Sequence, residues 1–377
     1  MSLLDYPRKI RRLDWLLLLL TVSLSVVGLL IIRSATWASD EPGLINADRK
    51  QMIWLLVGFC ACITVSLIDY RIMTRWFIVL GILSIALLLV TLVYATEIQG
   101  SKSWIILGPL SVQPAEFTKV TFILTLGGFL AWRGKKCRNT LTFFGCSIIT
   151  LLFIALILAQ GDTGTALVFA PVAAVMMFVA GVSLFWLITS CLGFCLAAIF
   201  AYFFALPDYA RERVMTFLDP SRDPTDSGYH ILESLRAIIS GDLAGKGYMQ
   251  GVGTITGRLP KNVSHTDFIF PVLGEEHGFW GAASLILAYF LIILWGSRIA
   301  LLARDRAGTI VASGVMTLLF THVYQNIGMT MNLMPVTGIP LPFISYGGSF
   351  LVSCFLAIGL LQSITIHRYP TTKTPLL

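Results

Sequence analysis

Long apolar runs, each ended by a few polar or charged residues, recur along the whole chain. They fall at 15–32, 51–68, 76–95, 117–132, 142–160, 164–182, 184–206, 272–297, 309–329 and 349–366. A helix needs about 20 apolar residues to cross the hydrocarbon of a bilayer. The pattern therefore predicts an all-α integral membrane protein of about ten transmembrane helices, a single polytopic membrane domain over residues 1–377. Two connections are long: 96–116, and the stretch from Pro207 to about Asp267 between spans seven and eight. A connection that long in a compact bundle usually has a function. Within it, Ser227–Ser240 places Ile231, Leu232, Leu235, Ile238 and Ile239 on one helical face, with Glu233 and Arg236 off it. That predicts an amphipathic helix lying on the membrane or on the bundle. Gly241, Gly245, Gly247, Gly251, Gly253 and Gly257 follow. They suit either a tight loop that brings backbone N–H groups to a ligand or a plain mobile loop.

Composition agrees: apolar residues make up 56% of the chain and charged residues 12%, against roughly 45–50% and about 25% in globular domains. The net charge of +7 does not suggest nucleic acid; its placement is what matters. Arg8, Lys9, Arg11 and Arg12, then Arg71 and Arg75, then Arg133, Lys135, Lys136 and Arg138, then Arg298, Arg304 and Arg306, then Arg368 and Lys373 all fall in alternate connections. The positive-inside rule makes that side cytoplasmic, both termini included. The first apolar run is too long for a signal peptide and reads as a retained span. The seven cysteines lack metal-ligand spacing, so neither a structural zinc site nor a disulfide is expected.

Against this background a few polar residues stand out. Asp267 lies where the polar stretch 259–266 meets an apolar run. An aspartate there can cap the following helix, or, partly desolvated, serve as a base. In Gln113-Pro114-Ala115-Glu116-Phe117-Thr118-Lys119, Glu116 and Lys119 share a helix face just inside the bilayer. They read either as a structural ion pair or as a cation holding an anionic substrate. Asp162 sits in the break Gln160-Gly161-Asp162-Thr163-Gly164 and could cap the next helix or line a cavity. Arg211 and Arg213 open the long loop and suit a phosphate or diphosphate, or lipid head groups. The prolines and glycines of 334–349, with Ser345-Tyr346-Gly347-Gly348-Ser349 at their end, require irregular backbone packed on protein or on a watery cavity. An enzyme acting on a lipid-linked phosphate and a transporter of one both fit these residues.

These motifs resemble the SEDS family (shape, elongation, division and sporulation) over nearly the whole chain. The residues that carry the likeness are His265-Thr266-Asp267-Phe268-Ile269-Phe270 with Glu275-Glu276 and Gly278, Gln113-Pro114 with Glu116 and Lys119, Arg211 with Arg213-Val214, Gly228-Tyr229-His230, and Ser345-Tyr346-Gly347-Gly348-Ser349. The run Pro335–Pro342 is closer to the rod-shape branch than to the division branch. The resemblance implies a peptidoglycan glycosyltransferase of the bacterial inner membrane that polymerises lipid II for elongation and cell shape. It would work with a class B penicillin-binding protein and the elongation machinery. Its catalytic aspartate falls on Asp267; Glu116 and Lys119 fall on positions linked to activity. Arg211, Arg213, Asp162 and Ser345 are the remaining candidates for contact with substrate. No cofactor is implied, although a divalent cation is compatible with a diphosphate. The chain departs from the family pattern at Ser103, Gly161 and Lys261–Ser264. A flippase of the same lipid-linked precursor, or a division-branch polymerase, is the alternative. A flippase needs polar groups along a path at mid-membrane, whereas these candidates gather toward one side.

Overall fold

The computed structural model describes residues 11–37, 44–98, 101–107, 110–204, 211, 215–223, 227–259 and 263–368. Its helices are α1 (Trp15–Thr36), α2 (Ala47–Leu67), α3 (Tyr70–Arg75), α4 (Phe77–Tyr94), α5 (Pro114–Arg133), α6 (Thr140–Ala159), α7 (Thr163–Val179), α8 (Leu184–Phe204), α9 (Ser227–Ser240), α10 (Val252–Ile255), α11 (Ile269–Leu301), α12 (Arg306–Thr330) and α13 (Gly348–Ile366). Each of the ten expected spans falls on one of them. Among the described residues, α1, α2, α4, α6, α11, α12 and α13 are long and apolar enough to cross a membrane. The protein is an all-α membrane protein with one small addition. The first long connection is an antiparallel meander of β1 (Thr96–Ile98), β2 (Ser101–Leu107) and β3 (Leu110–Val112). The amide of Lys102 donates to the carbonyl of Gln160 at 2.8 Å, which ties the meander to the end of α6.

At the centre lies α13, almost wholly buried and packed on α2, α5 and α12. The approach of α2 and α13 is set by small residues: a Cβ at Gly359 would stand 2.8 Å from the Cys62 carbonyl oxygen. Such stripes let apolar helices approach where water supplies no hydrophobic drive between them. Around this centre, α12 also contacts α5, α7 and α11, and α1 contacts α2 and α11. Asp14 joins three helices at one end. Its carboxylate caps α1 by accepting from Leu17 N at 3.1 Å, and it accepts from Trp295 Nε1 of α11 at 2.6 Å. Its backbone is bracketed by the Gln362 side chain of α13 at 2.8 and 2.9 Å.

The amphipathic helix exists as α9, and it lies on the bundle against α11 and α12. Its buried side matches the expected one only in part: Ile231 is buried and Leu232, Leu235 and Ile238 are half-buried as expected, but other residues join them and Ile239 does not. Ile231, Glu233, Ser234 and Ala237 are buried, while Ile239 is 75% exposed. Glu233 can turn inward because Arg236, one turn on, forms an ion pair with it.

Candidate active site

Asp267 sits in a short turn, 263–268, in which the amides of Thr266 and Phe268 both donate to the carbonyl of Val263. Three successive carbonyls of this turn are held from other parts of the chain. His265 O accepts from Tyr346 N at 2.9 Å. Thr266 O accepts from Ser345 Oγ at 2.6 Å. Asp267 O accepts from Asn326 Nδ2 at 2.8 Å. The His265 and Tyr346 rings lie 5.5 Å apart. Ser345 Oγ also accepts from Leu341 N at 2.8 Å, and Asn326 Nδ2 also donates to Ile339 O at 2.7 Å. The irregular stretch before α13 is thus folded against the Asp267 turn, and its polar backbone is satisfied there, as burial requires.

The carboxylate of Asp267 does not cap α11. The helix begins after Phe268, and no side chain caps it. Half-buried instead, its Oδ2 lies against Gly338, where a Cβ would stand 3.5 Å away. Burial, and secondarily the negative charge of Asp162, push this carboxyl up to about 7. Asp162 does cap its helix: Oδ1 accepts from Thr165 N at 2.9 Å, and Oδ2 accepts from Gln113 Nε2 at 2.9 Å. Gly164, in the first turn of α7, lies directly on the Thr337 carbonyl, so α7 and the loop carrying Gly338 share this corner. Asp267, Asp162 and Ser345 therefore stand at one corner of the bundle.

Glu116 and Lys119 lie deeper, in the first turns of α5, each 2% exposed. Lys119 Nζ is 2.7 Å from Glu116 Oε2 and 3.0 Å from His322 Nε2, and it lies 5.3 Å from the centre of the Phe350 ring. Because an ammonium only donates, His322 Nε2 accepts, and the ring proton resides on Nδ1. That nitrogen faces Pro340 O at 3.3 Å. Ser353 Oγ of α13 donates to Glu116 Oε2 at 3.4 Å. The pair is packed inside protein and linked by His322 to the loop next to Asp267. Composition and spacing did not single out His322. The available signal was a histidine and an asparagine four residues apart on one face of an apolar helix.

Arg211 Nη2 donates to the Phe203 carbonyl at 2.9 Å, at the end of α8. Arg213, like Lys261 and Asn262, lies outside the described residues. The glycine-rich stretch also differs from the ligand-binding loop its composition allowed. Its N–H groups bind α11, which breaks at Gly278 (φ +62°). The amides of Lys246 and Gly247 donate to the carbonyls of Glu275 and Glu276, both at 3.0 Å. Beyond the break, the amides of Phe279 and Trp280 donate back to Asp242 and Leu243. A broken helix exposes four carbonyls and four amides, and this loop supplies partners to both halves. The Glu275 carboxylate completes the splint, accepting from Lys246 Nζ at 2.7 Å and Gly253 N at 3.0 Å.

The family model for cell cycle proteins of the FtsW, RodA and SpoVE type matches residues 11–370. The chain is 34% identical over 365 residues to the peptidoglycan glycosyltransferase MrdB of Escherichia coli (strain K12), covering 96% of each chain. It is 35% identical to the stage V sporulation protein E of Bacillus subtilis (strain 168), covering 94% of this chain and 97% of that one. Among solved structures it matches a chain of a peptidoglycan synthase complex that coordinates polymerization and crosslinking. The TM-score is 0.82 and the identity 30%, over 95% of this chain and 98% of that one. It also matches the rod shape determining protein RodA of Thermus thermophilus, with a TM-score of 0.70 and 26% identity over 95% and 98%. With a family match over nearly its full length, the chain belongs to the SEDS family of FtsW, RodA and SpoVE.

Proposed function

We propose that the chain is a peptidoglycan glycosyltransferase of the rod-shape branch, polymerising lipid II into glycan strands for cell elongation and cell shape. The observation that carries the reading is the Asp267 carboxylate, held by its backbone, uninvolved in helix capping and pushed up to about 7. A base is most useful when its pKa lies near the working pH. Asp267 takes the proton of the acceptor's 4-hydroxyl as that oxygen attacks the anomeric carbon of the donor. The new C–O bond forms as the bond to the diphosphate breaks, and undecaprenyl diphosphate leaves with the electron pair. A single displacement inverts an α-linked donor and gives a β-1,4 linkage. The leaving group needs counter-charge more than a proton, and Arg211 and Arg213 are the cations proposed for it. Ser345 and Asp162 shape the seat of Asp267.

The enzyme lies in the bacterial inner membrane with both termini in the cytoplasm and Asp267 at the outer face. Its proposed partner is a class B penicillin-binding protein that cross-links the product. The test supplies lipid II to the purified protein and such a partner, with the transpeptidase blocked, and scores glycan polymer. Wild type forms polymer, and Asp267→Asn, which keeps the size but accepts no proton at neutral pH, loses roughly 10²–10⁴-fold in rate. Wild-type rates in Asp267→Asn would remove Asp267 as the base.

A further inference from the structure

On the face of α12, His322 and Asn326 stand four residues apart, and each holds a carbonyl of the loop beside Asp267. Asn326 Nδ2 holds Ile339 O at 2.7 Å and Asp267 O at 2.8 Å. His322 Nδ1 faces the next carbonyl, Pro340 O, at 3.3 Å. From the other side His322 Nε2 receives Lys119 Nζ at 3.0 Å. Lys119 is enclosed: Glu116, His322 and the Phe350 ring surround its ammonium, and the residue is 2% exposed. An ammonium so placed has no open side for a diphosphate arriving at Asp267. What it does have is a continuous path of hydrogen bonds to the loop on which the base rests: Glu116 to Lys119, Lys119 to His322, His322 to Pro340. One residue further, Leu341 N binds Ser345 Oγ, which binds Thr266 O. Two residues earlier, Gly338 lies against the carboxylate itself.

We propose that His322 is a positioning residue for the transfer reaction, transmitting the placement of the buried Glu116–Lys119 pair to the 338–345 loop and so to the Asp267 carboxylate, while Lys119 touches no substrate. The proposal rests on the glycosyltransferase reading for its kinetic arm alone. A base held by a loop loses rate when the loop shifts, because about 1 Å of misplacement can cost roughly 10²-fold. Substrate affinity, set elsewhere, stays.

Two variants separate the possibilities. His322→Leu removes both hydrogen bonds. His322→Gln offers an oxygen to Lys119 and an N–H to Pro340. Both are compared with wild type for kcat and KM toward lipid II, together with hydrogen exchange of the amides of 263–268 and 338–346. The expected result for His322→Leu is a kcat lowered roughly 10²-fold, a KM within about twofold of wild type and faster exchange in those two segments alone. His322→Gln recovers most of the rate and of the protection. The proposal is overturned by a raised KM at unchanged kcat, by wild-type exchange in His322→Leu, or by equal impairment of the two variants. If wild type itself forms no polymer, the glycosyltransferase reading fails, and the exchange comparison still decides whether His322 seats the loop.

Discussion

Asp267 joins a fixed backbone to a carboxyl in a half-buried corner, and this has two consequences with pH. As the proposed base it must be ionised, so the rate of polymer formation is expected to rise with pH through about 7 and to level off above, read as kcat/KM across pH 5–9. For stability the sign runs the other way. Between its ordinary pKa near 4 and the raised value, the folded state binds the proton and the unfolded state does not. Stability from this group is thus present below about pH 4 and lost as pH rises to about 7. Asp267→Asn removes the loss, so in detergent it melts above wild type at pH 8, and the two converge toward pH 4. A variant melting below wild type at pH 8 would contradict the burial of this carboxyl. The Glu116–Lys119 pair makes a different prediction. Removing one partner of a buried pair costs about 3–5 kcal/mol, whereas replacing both by apolar residues of similar volume is far milder. Lys119→Ala therefore lowers the melting temperature much more than the double variant Glu116→Leu with Lys119→Met, a comparison thermal denaturation reads directly. Of the site residues, the sequence marked Asp267, Asp162, Glu116 and Lys119 as charges at or inside the membrane boundary, and Ser345 as part of an irregular stretch and of the family likeness. It did not show that Lys119 is closed in, because spacing along one helix says nothing about what the neighbouring helices present.

At the scale of elements, α11 and the loop that splints it are the instructive pair. Hydropathy marks the apolar run, yet the break lies at Gly278, whose φ of +62° and closeness to the Gly245 backbone leave no place for a side chain. Gly278→Ala is expected to destabilise by more than about 1 kcal/mol and to loosen the 241–253 loop. Limited proteolysis finds that loop cut faster in the variant; unchanged cleavage would separate the break from the loop. The same logic explains what was hidden in the sequence. A run of glycines is compatible with many partners, and only the chain that comes to lie beside it fixes which. For α9, helix existence and most of its inward face were legible from its periodicity, but that face also takes in Glu233, which Arg236 pairs, and loses Ile239 at its end. The meander of β1, β2 and β3 has strands of three to seven residues, too short to carry a period, and its placement depends on the bond from Lys102 to the end of α6.

For the whole molecule, charge placement makes a prediction independent of the chemistry. With Ser227→Cys or Thr372→Cys in a cysteine-free background, an impermeant thiol reagent added outside labels the first and spares the second, which lies beyond the described residues. Labelling of both from outside would overturn the proposed orientation.

The apolar runs alone determined that this chain is a helical membrane protein, since a bilayer accepts few other backbones and sets the length of each run. Its motifs, which are local strings, determined the family. Tertiary structure alone decided that α13 lies at the centre, that three carbonyls around Asp267 are gripped from α12 and from the stretch just before α13, and that Lys119 meets His322 while Glu116 meets Ser353. Those contacts join residues 59 to 237 positions apart. Their partners are ordinary serines, asparagines and backbone groups, which acquire a role only when the bundle closes around them.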